Sequence, residues 1–396
     1  MNQDADLVVI GSRVWVGDGT STDALAVRGA NVVAHGAAAR DMIGARTRVL
    51  DRAGALVVPG FQDAHVHAPQ AGHNLDNVDL RDLTGRHAYL EHIARYVAEH
   101  PAAEWIVGGG WSMEHFPKGT PRREDLDAVT GGKPAFLFNR DVHGAWVNSA
   151  ALARAGIDAT TPDPPDGRYE RDADGTPVGM LHEGAAYTFE SAWVPAPTHS
   201  EWERAILCAQ DHLHSLGITS WQDAWVTPAT LAAYRGLAHD RRLTARVVGA
   251  LWWDRHRHLE QIDELREQRE QGAPGFHPTT VKIMVDGIVE NQTAGMLEPF
   301  CDGCGGVTDN HGLMYVDRDV LLPAVTELDR LGFQVHMHAI GDRAIRTALD
   351  AVAAARAANG PSDNRHHIAH VQVVQPQDVG RFAELGVIAN CQTYWA

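Results

Sequence analysis

VPGFQDAHVHAPQAG (58–72) places two imidazoles, His65 and His67, directly behind an apolar run that ends in Pro-Gly. In an extended strand alternate side chains share a face, so positions 65 and 67 point the same way, roughly 6.6 Å apart along the strand. That is near enough for both rings to lean onto one metal ion. Two surface histidines in a loop would have the same spacing, so the reading turns on whether further ligands arrive from other strands.

Working outward, the residues before this stretch read as strands and turns. ADLVVIGSRVWVGDG, DALAVRGANVVAHG and TRVLDRAGALVVPG each join a β-branched run to a glycine-containing turn. Residues 1–58 are therefore assigned to a small β-module and 59–396 to a second domain. From residue 200 onward, helix and strand alternate. Ser200 and Glu203 suggest a capping box before WERAILCAQDHLHSL, and Gly217 suits a left-handed C-terminal residue. SLGITSWQDAW, RLGFQVHMHAI and ELGVIANCQTY echo one another as helix end, Leu-Gly stop and apolar strand. RVVGALWW, TVKIMVDG and HHIAHVQV supply further strands, the pattern of βα units on a parallel sheet. The count is seven, at 56–67 and near 218, 246, 280, 333, 366 and 386. A (β/α)8 TIM-like barrel has eight. The 396 residues are accordingly read as a partly represented protein whose eighth strand is not included. Residues 68–216 form a large insertion after the first barrel strand, at the rim where such barrels build their active sites.

Ligands in such a barrel sit late in their strands. His338 ends QVHMHAI and His370 ends HHIAH, so three strands deliver histidine to one rim. His336 shares a face with His338 but lies deeper. Lys282 in TVKIMVDG shares a face with Met284 and Asp286, and an unpaired ammonium in a central strand is costly. Either a carboxylate such as Asp286 neutralises it, or the amine carries CO2 as a carbamate. Asp63 is placed to hold the second nitrogen of His65, a common arrangement around metal ligands. Asp342 either positions a ligand or caps the helix that follows it. In the insertion, Trp111, His143, Trp146 and Asn148 are substrate-binding candidates, with His143 a possible donor to a substrate carbonyl.

Composition agrees with a soluble globular protein: 44% hydrophobic and 21% charged residues. A formal net charge of −17 argues against nucleic-acid or anionic-membrane partners and leaves a small-molecule substrate. The acidic N-terminus is unlike a signal peptide, and no run approaches the ~18 apolar residues of a membrane span. Four cysteines are too few for a disulfide scaffold, so a cytoplasmic location is expected. Cys301 and Cys304 form a lone CxxC without the second Cys or His pair of a zinc site. Barrels of this kind often associate, so a homo-oligomer stays open.

VPGFQDAHVH, VKIMVDGIVENQTAGML, HMHAIGDRAI and RHHIAHVQ, in this order, resemble the metal-dependent amidohydrolase superfamily. With NRDVHGAWVNSAAL they look like its amidohydrolase family 3 branch, which includes YtcJ-like proteins and N-substituted formamide deformylases. The resemblance implies a (β/α)8 barrel with a β-sandwich built from both chain ends. It implies His65 and His67 on one metal, His338 and His370 on another, and Lys282 as a bridging carbamate. It also implies a catalytic aspartate at the end of the eighth strand, which has no position before Ala396. Ala369 departs from the pattern, since related sequences usually carry Glu there. The expected activity is hydrolysis of a non-peptide C–N bond in a small amide or formamide. Zinc is favoured, with iron or manganese as alternatives. Ester, lactone or phosphoester hydrolysis, deamination, and a non-catalytic metal-binding relative are the competing readings.

Overall fold

The computed structural model describes residues 4–17, 19–301, 306 and 308–392; Cys304 of the CxxC lies outside them. The chain divides into two compact units, one up to Gln62 and one from Asp63. The first is a sheet of β1 (Leu7–Trp15), β2 (Ser21–Arg28), β3 (Asn31–His35), β4 (Arg48–Asp51) and β5 (Leu56–Val57). Its order is β3-β2-β1-β4, with β5 on the far end of β1. Small apolar residues, Val8, Ala24, Ala26 and Ala39, form its core.

The strand β6 (Phe61–Val66) runs through the boundary, and its part from Asp63 onward, which carries His65, opens the second unit. The chain then leaves to build a six-stranded sheet from β7 (Val78–Asp79), β8 (Ile106–Trp111), β9 (Ala135–Asn139), β10 (Gly144–Val147), β11 (Gly167–Arg171) and β12 (Pro177–Glu183). The insertion expected at 68–216 thus carries its own sheet. Trp146 is packed edge-on against Trp111 and Phe116 in this part's core, and its Nε1 donates to Arg122 O. Asn148 caps the helix Ser149–Ala155: its Oδ1 accepts from Ala151 N and Ala135 N, while Nδ2 donates to Thr130 and Lys133. Neither residue lines the cavity described below, so the expectation that they bind substrate is corrected: both are buried and hold the insertion together.

The chain returns through the helix His199–Ser215. Its capping box is Thr198 with Glu201, two residues before the expected Ser200 and Glu203, because Thr198 Oγ1 accepts from Glu201 N and Glu201 Oε2 accepts from Thr198 N. Gly217 turns the chain at φ 78°, as its lack of Cβ allows. Six strands follow: β13 (Ile218–Val226), β14 (Arg246–Trp252), β15 (Phe276–Met284), β16 (Gln334–Ala339), β17 (His367–His370) and β18 (Ile388–Asn390). With β6 they make a seven-stranded sheet in the order β18-β17-β16-β15-β14-β13-β6, a nearly closed α/β barrel. Asn390 Nδ2 reaches across the gap to Ala64 O, 3.1 Å away.

Alternation separates two environments on these strands. Val281, Ile283, Val335, Met337 and Ile368 belong to the apolar cluster shared with Leu321, Val325, Ile345 and Leu349 of the surrounding helices. The opposite face is polar. At its lower level Gln222 Nε2 donates to Thr280 Oγ1 (2.9 Å) and Gln334 Oε1 (2.8 Å). Above it, Lys282 lies in register with His336, and His336 with His367. Branched apolar layers, which usually fill such barrels, are replaced here by hydrogen-bonding groups.

A second polar knot ties the helix Arg318–Arg330 to the segment before β17. The Asp329 carboxylate accepts from His366 Nε2 (2.8 Å), Ser362 Oγ (2.7 Å), Asn359 Nδ2, Asn364 Nδ2 and Arg356. Burial alone would push this carboxyl up, but the donors from Asn359, Ser362, His366 and Asn364 hold it well below the usual range. Replacing Asp329 with alanine leaves these donors buried and unmatched, so unfolding should become easier by roughly 3–5 kcal/mol. A group depressed in the folded state stabilises above its unfolded pKa and loses that effect as pH falls. The difference in melting between wild type and Asp329→Ala should therefore be full above about pH 4 and shrink below it. Asn148→Ala should cost about 1–2 kcal/mol of stability through loss of the cap and leave kcat/KM unchanged, as thermal denaturation beside steady-state kinetics would show.

Candidate metal centre

His65 comes from β6, and His67 follows at the N-terminal boundary of the helix Ala68–Leu75. Lys282 comes from β15, His338 from β16 and His370 from the end of β17. The structure brings all five to one cavity of about 700 Å³. Ring centroids lie 5.3 Å apart for His65–His67, 4.8 Å for His65–His370 and 4.5 Å for His338–His370. Strict alternation from His367 would send His370 to the outer face. Positive φ at His370 (79°) and Val371 (52°) breaks that alternation, and the His370 ring lines the cavity.

Hydrogen bonds orient the rings. His338 Nε2 lies 3.1 Å from Gly287 O; a carbonyl only accepts, so Nε2 carries the proton and Nδ1 presents the lone pair. His370 Nδ1 lies 2.7 Å from Gln392 Oε1. His65 Nδ1 lies 2.9 Å from His336 Nε2. His67 Nδ1 is buried with no hydrogen-bond partner among the described residues. As they lie, no three His, Cys, Asp or Glu side chains among the described residues form a closed ligand set. The donors are nonetheless of the type a divalent ion takes, and the partnerless His67 Nδ1 is an atom such an ion would satisfy.

Electrostatics keeps these groups uncharged. Burial, with the nearby Lys282 charge, pushes His67 down to about 3, and burial holds His65, His338 and His370 well below the ordinary histidine range. Burial also lowers the Lys282 amine to about 7, with Asp223 pulling weakly the other way. Lys282 has no carboxylate at ion-pair distance among the described residues. Asp286, the partner considered for it, instead accepts backbone N–H groups from Gly295, Ile340 and Gly341 and stands 3.7 Å from His338 Nε2. Burial still pushes the Asp286 carboxyl up to about 7.

Two further assignments are corrected. Asp63 Oδ1 accepts from the His65 backbone N–H, not from its ring; the short Asp63 side chain folds back on its own strand, and the ring finds His336. Asp342 does not cap its helix through its side chain: Oδ1 accepts from Leu297 N and Oδ2 from Gln375 Nε2, which ties two loops together. Trp111 and His143 do line the cavity, although Trp111 Nε1 donates to Leu137 O.

The sequence reading missed Glu183. This residue, with no exposed surface, ends β12 at φ 52°, ψ −123°, and its Oε2 lies 2.9 Å from His143 Nδ1. Burial opposes both charges, yet each offsets it for the other: the Glu183 carboxyl lies below its ordinary range and the His143 imidazole above its own. LHEG at 181–184 offered only a glutamate at a strand end, and nothing in it pointed to position 143.

The amidohydrolase family profile matches residues 48–396. The chain is 31% identical to the exoenzymes regulatory protein AepA of Pectobacterium carotovorum, over 86% of this chain and 73% of that protein. It is 28% identical to the N-substituted formamide deformylase of Arthrobacter pascens, over 98% of this chain and 73% of that one. An uncharacterized metal-dependent hydrolase from Pyrococcus furiosus superposes with a TM-score of 0.71 at 26% identity, covering 98% of this chain and 77% of the other. Barrel, insertion and ordered motifs agree with these matches: the chain belongs to the amidohydrolase family, in the YtcJ-like branch of hydrolases that act on C–N bonds.

Proposed function

We propose that this chain is a cytoplasmic, metal-dependent hydrolase that opens the C–N bond of a small amide or an N-substituted formamide. Zinc is the favoured ion, with iron or manganese as alternatives, and one or two ions would be held by His65, His67, His338, His370 and a carboxylated Lys282. The observation that carries the reading is the meeting of four neutral imidazoles and one buried amine at the C-terminal ends of the barrel strands. When bound, a divalent ion supplies polarisation of the substrate carbonyl and activation of water.

The chain's own groups do the rest. With its pKa near 7, a large fraction of Lys282 is neutral amine at neutral pH. The nitrogen lone pair can add to CO2, forming an N–C bond, releasing one proton and leaving an anionic carbamate. That turns a costly buried base into two oxygen donors. Trp111, Tyr187, Trp225, Trp252 and Met284 wall the cavity and would exclude water around an apolar substituent. His143 would donate to the carbonyl oxygen. Among the described residues no helix is long and apolar enough to cross a membrane. A second reading comes from the regulatory protein AepA: the same ligands could hold an ion without turnover.

Purified protein should contain about one or two divalent ions per chain by elemental analysis and should cleave N-alkyl or N-aryl formamides. Chelation should abolish this, and the ion should restore it. Metal-replete protein that cleaves no amide or formamide, or that cleaves only esters or amino-heterocycles, rejects the reading. Lys282→Ala should lower metal affinity and turnover by more than about 100-fold, and short carboxylic acids should restore part of both by occupying the place of the carbamate.

A further inference from the structure

The buried Glu183–His143 pair is more elaborate than the packing of a loop requires. Glu183 Oε1 accepts from Thr293 Oγ1 (2.8 Å), which also receives the Ile288 N–H. Asn291 Nδ2 donates to His143 O (3.0 Å), and so does the Glu183 N–H (2.9 Å). The carboxylate therefore joins three pieces: the β9–β10 turn carrying His143, the end of β12, and the loop that follows the strand of Lys282. Space is tight, since a Cβ on Gly287 would lie 2.8 Å from Glu183 Oε1. Positive φ in a residue with a Cβ costs of order 1–3 kcal/mol and persists where the surroundings impose it. Val142, beside His143, shows the same feature at φ 60°.

Resting on the function proposed above, we propose that Glu183 is the positioning residue of this site. An ionised carboxylate only accepts, so His143 Nδ1 must donate to it. This fixes the tautomer and ring angle, and it sets Nε2 on the side away from Glu183, with the ring 5.1 Å from that of His338. Nε2 is thereby held toward the substrate carbonyl or the departing nitrogen.

The test is a double-mutant cycle on formamide hydrolysis, with metal content and melting temperature recorded for each variant. Glu183→Gln should lower kcat by about 100-fold or more with little change in KM or bound metal. Adding the same change to His143→Ala should cost almost nothing more, because Glu183 acts through that ring. Equal losses in both backgrounds overturn the proposal, as does a loss explained by unfolding or metal release. A second measurement needs neither turnover nor a stable variant. In 15N-histidine-labelled wild type, with His143→Asn used for assignment, the His143 Nδ1 should carry a proton, seen as a downfield hydrogen-bonded signal. A proton on Nε2 alone overturns the proposal. If the wild type cleaves no amide or formamide, the hydrolase reading falls, and the nitrogen spectrum alone decides for or against Glu183.

Discussion

Taking five basic side chains out of water at one end of a barrel is the constraint around which the second unit is organised. A protonated lysine beside four imidazoles, with no carboxylate at ion-pair distance among the described residues, would be a severe electrostatic burden. Neutrality relieves it. Burial strips the protons from the histidines and brings the lysine amine to the edge of deprotonation near pH 7. The same neutrality is what a metal ligand requires, since an imidazolium has no lone pair to give and an ammonium cannot add to CO2. What looks like a stability problem for the fold is thus the precondition for the proposed chemistry.

Strain and close approach cluster around the same place. Val142, Glu183, Gln292, His370 and Val371 all adopt positive φ, and each lies in or beside a segment that borders the cavity. The surrounding framework is rigid enough to impose this. Asp286 gathers backbone N–H groups from two loops, and Asp342 ties a further pair. A site assembled from the insertion and six barrel strands needs such ties, because no single element spans it.

The fold could be read from the sequence because its period is simple. Seven apolar strands fell where the Leu-Gly stops and β-branched runs put them, and the histidines that end three of them met at one rim. What resisted reading was whatever depends on long-range side-chain pairing. Nothing local tells the His65 ring to meet His336, or tells Glu183 to meet His143 forty residues away. Asn148 was legible in another way: Asn before Ser-Ala-Ala-Leu is a helix-cap signal, and capping is the role its side chain takes. The turn of His370 into the cavity departs from period two, and no sequence rule marks a histidine for positive φ.

The glutamine–threonine layer beneath the lysine has a consequence for how the barrel finds its pairing. Gln222, Thr280 and Gln334 come from three strands separated by 54 to 112 residues, yet they share hydrogen bonds that only one alignment satisfies. Shifting any of these strands by one position would turn its amide or hydroxyl toward hydrocarbon, at a penalty of roughly 1–3 kcal/mol for each stranded group. An oily layer would tolerate such slippage far better. The floor therefore sets the native alignment apart in energy from its one-residue slips, so the rim above inherits a fixed register.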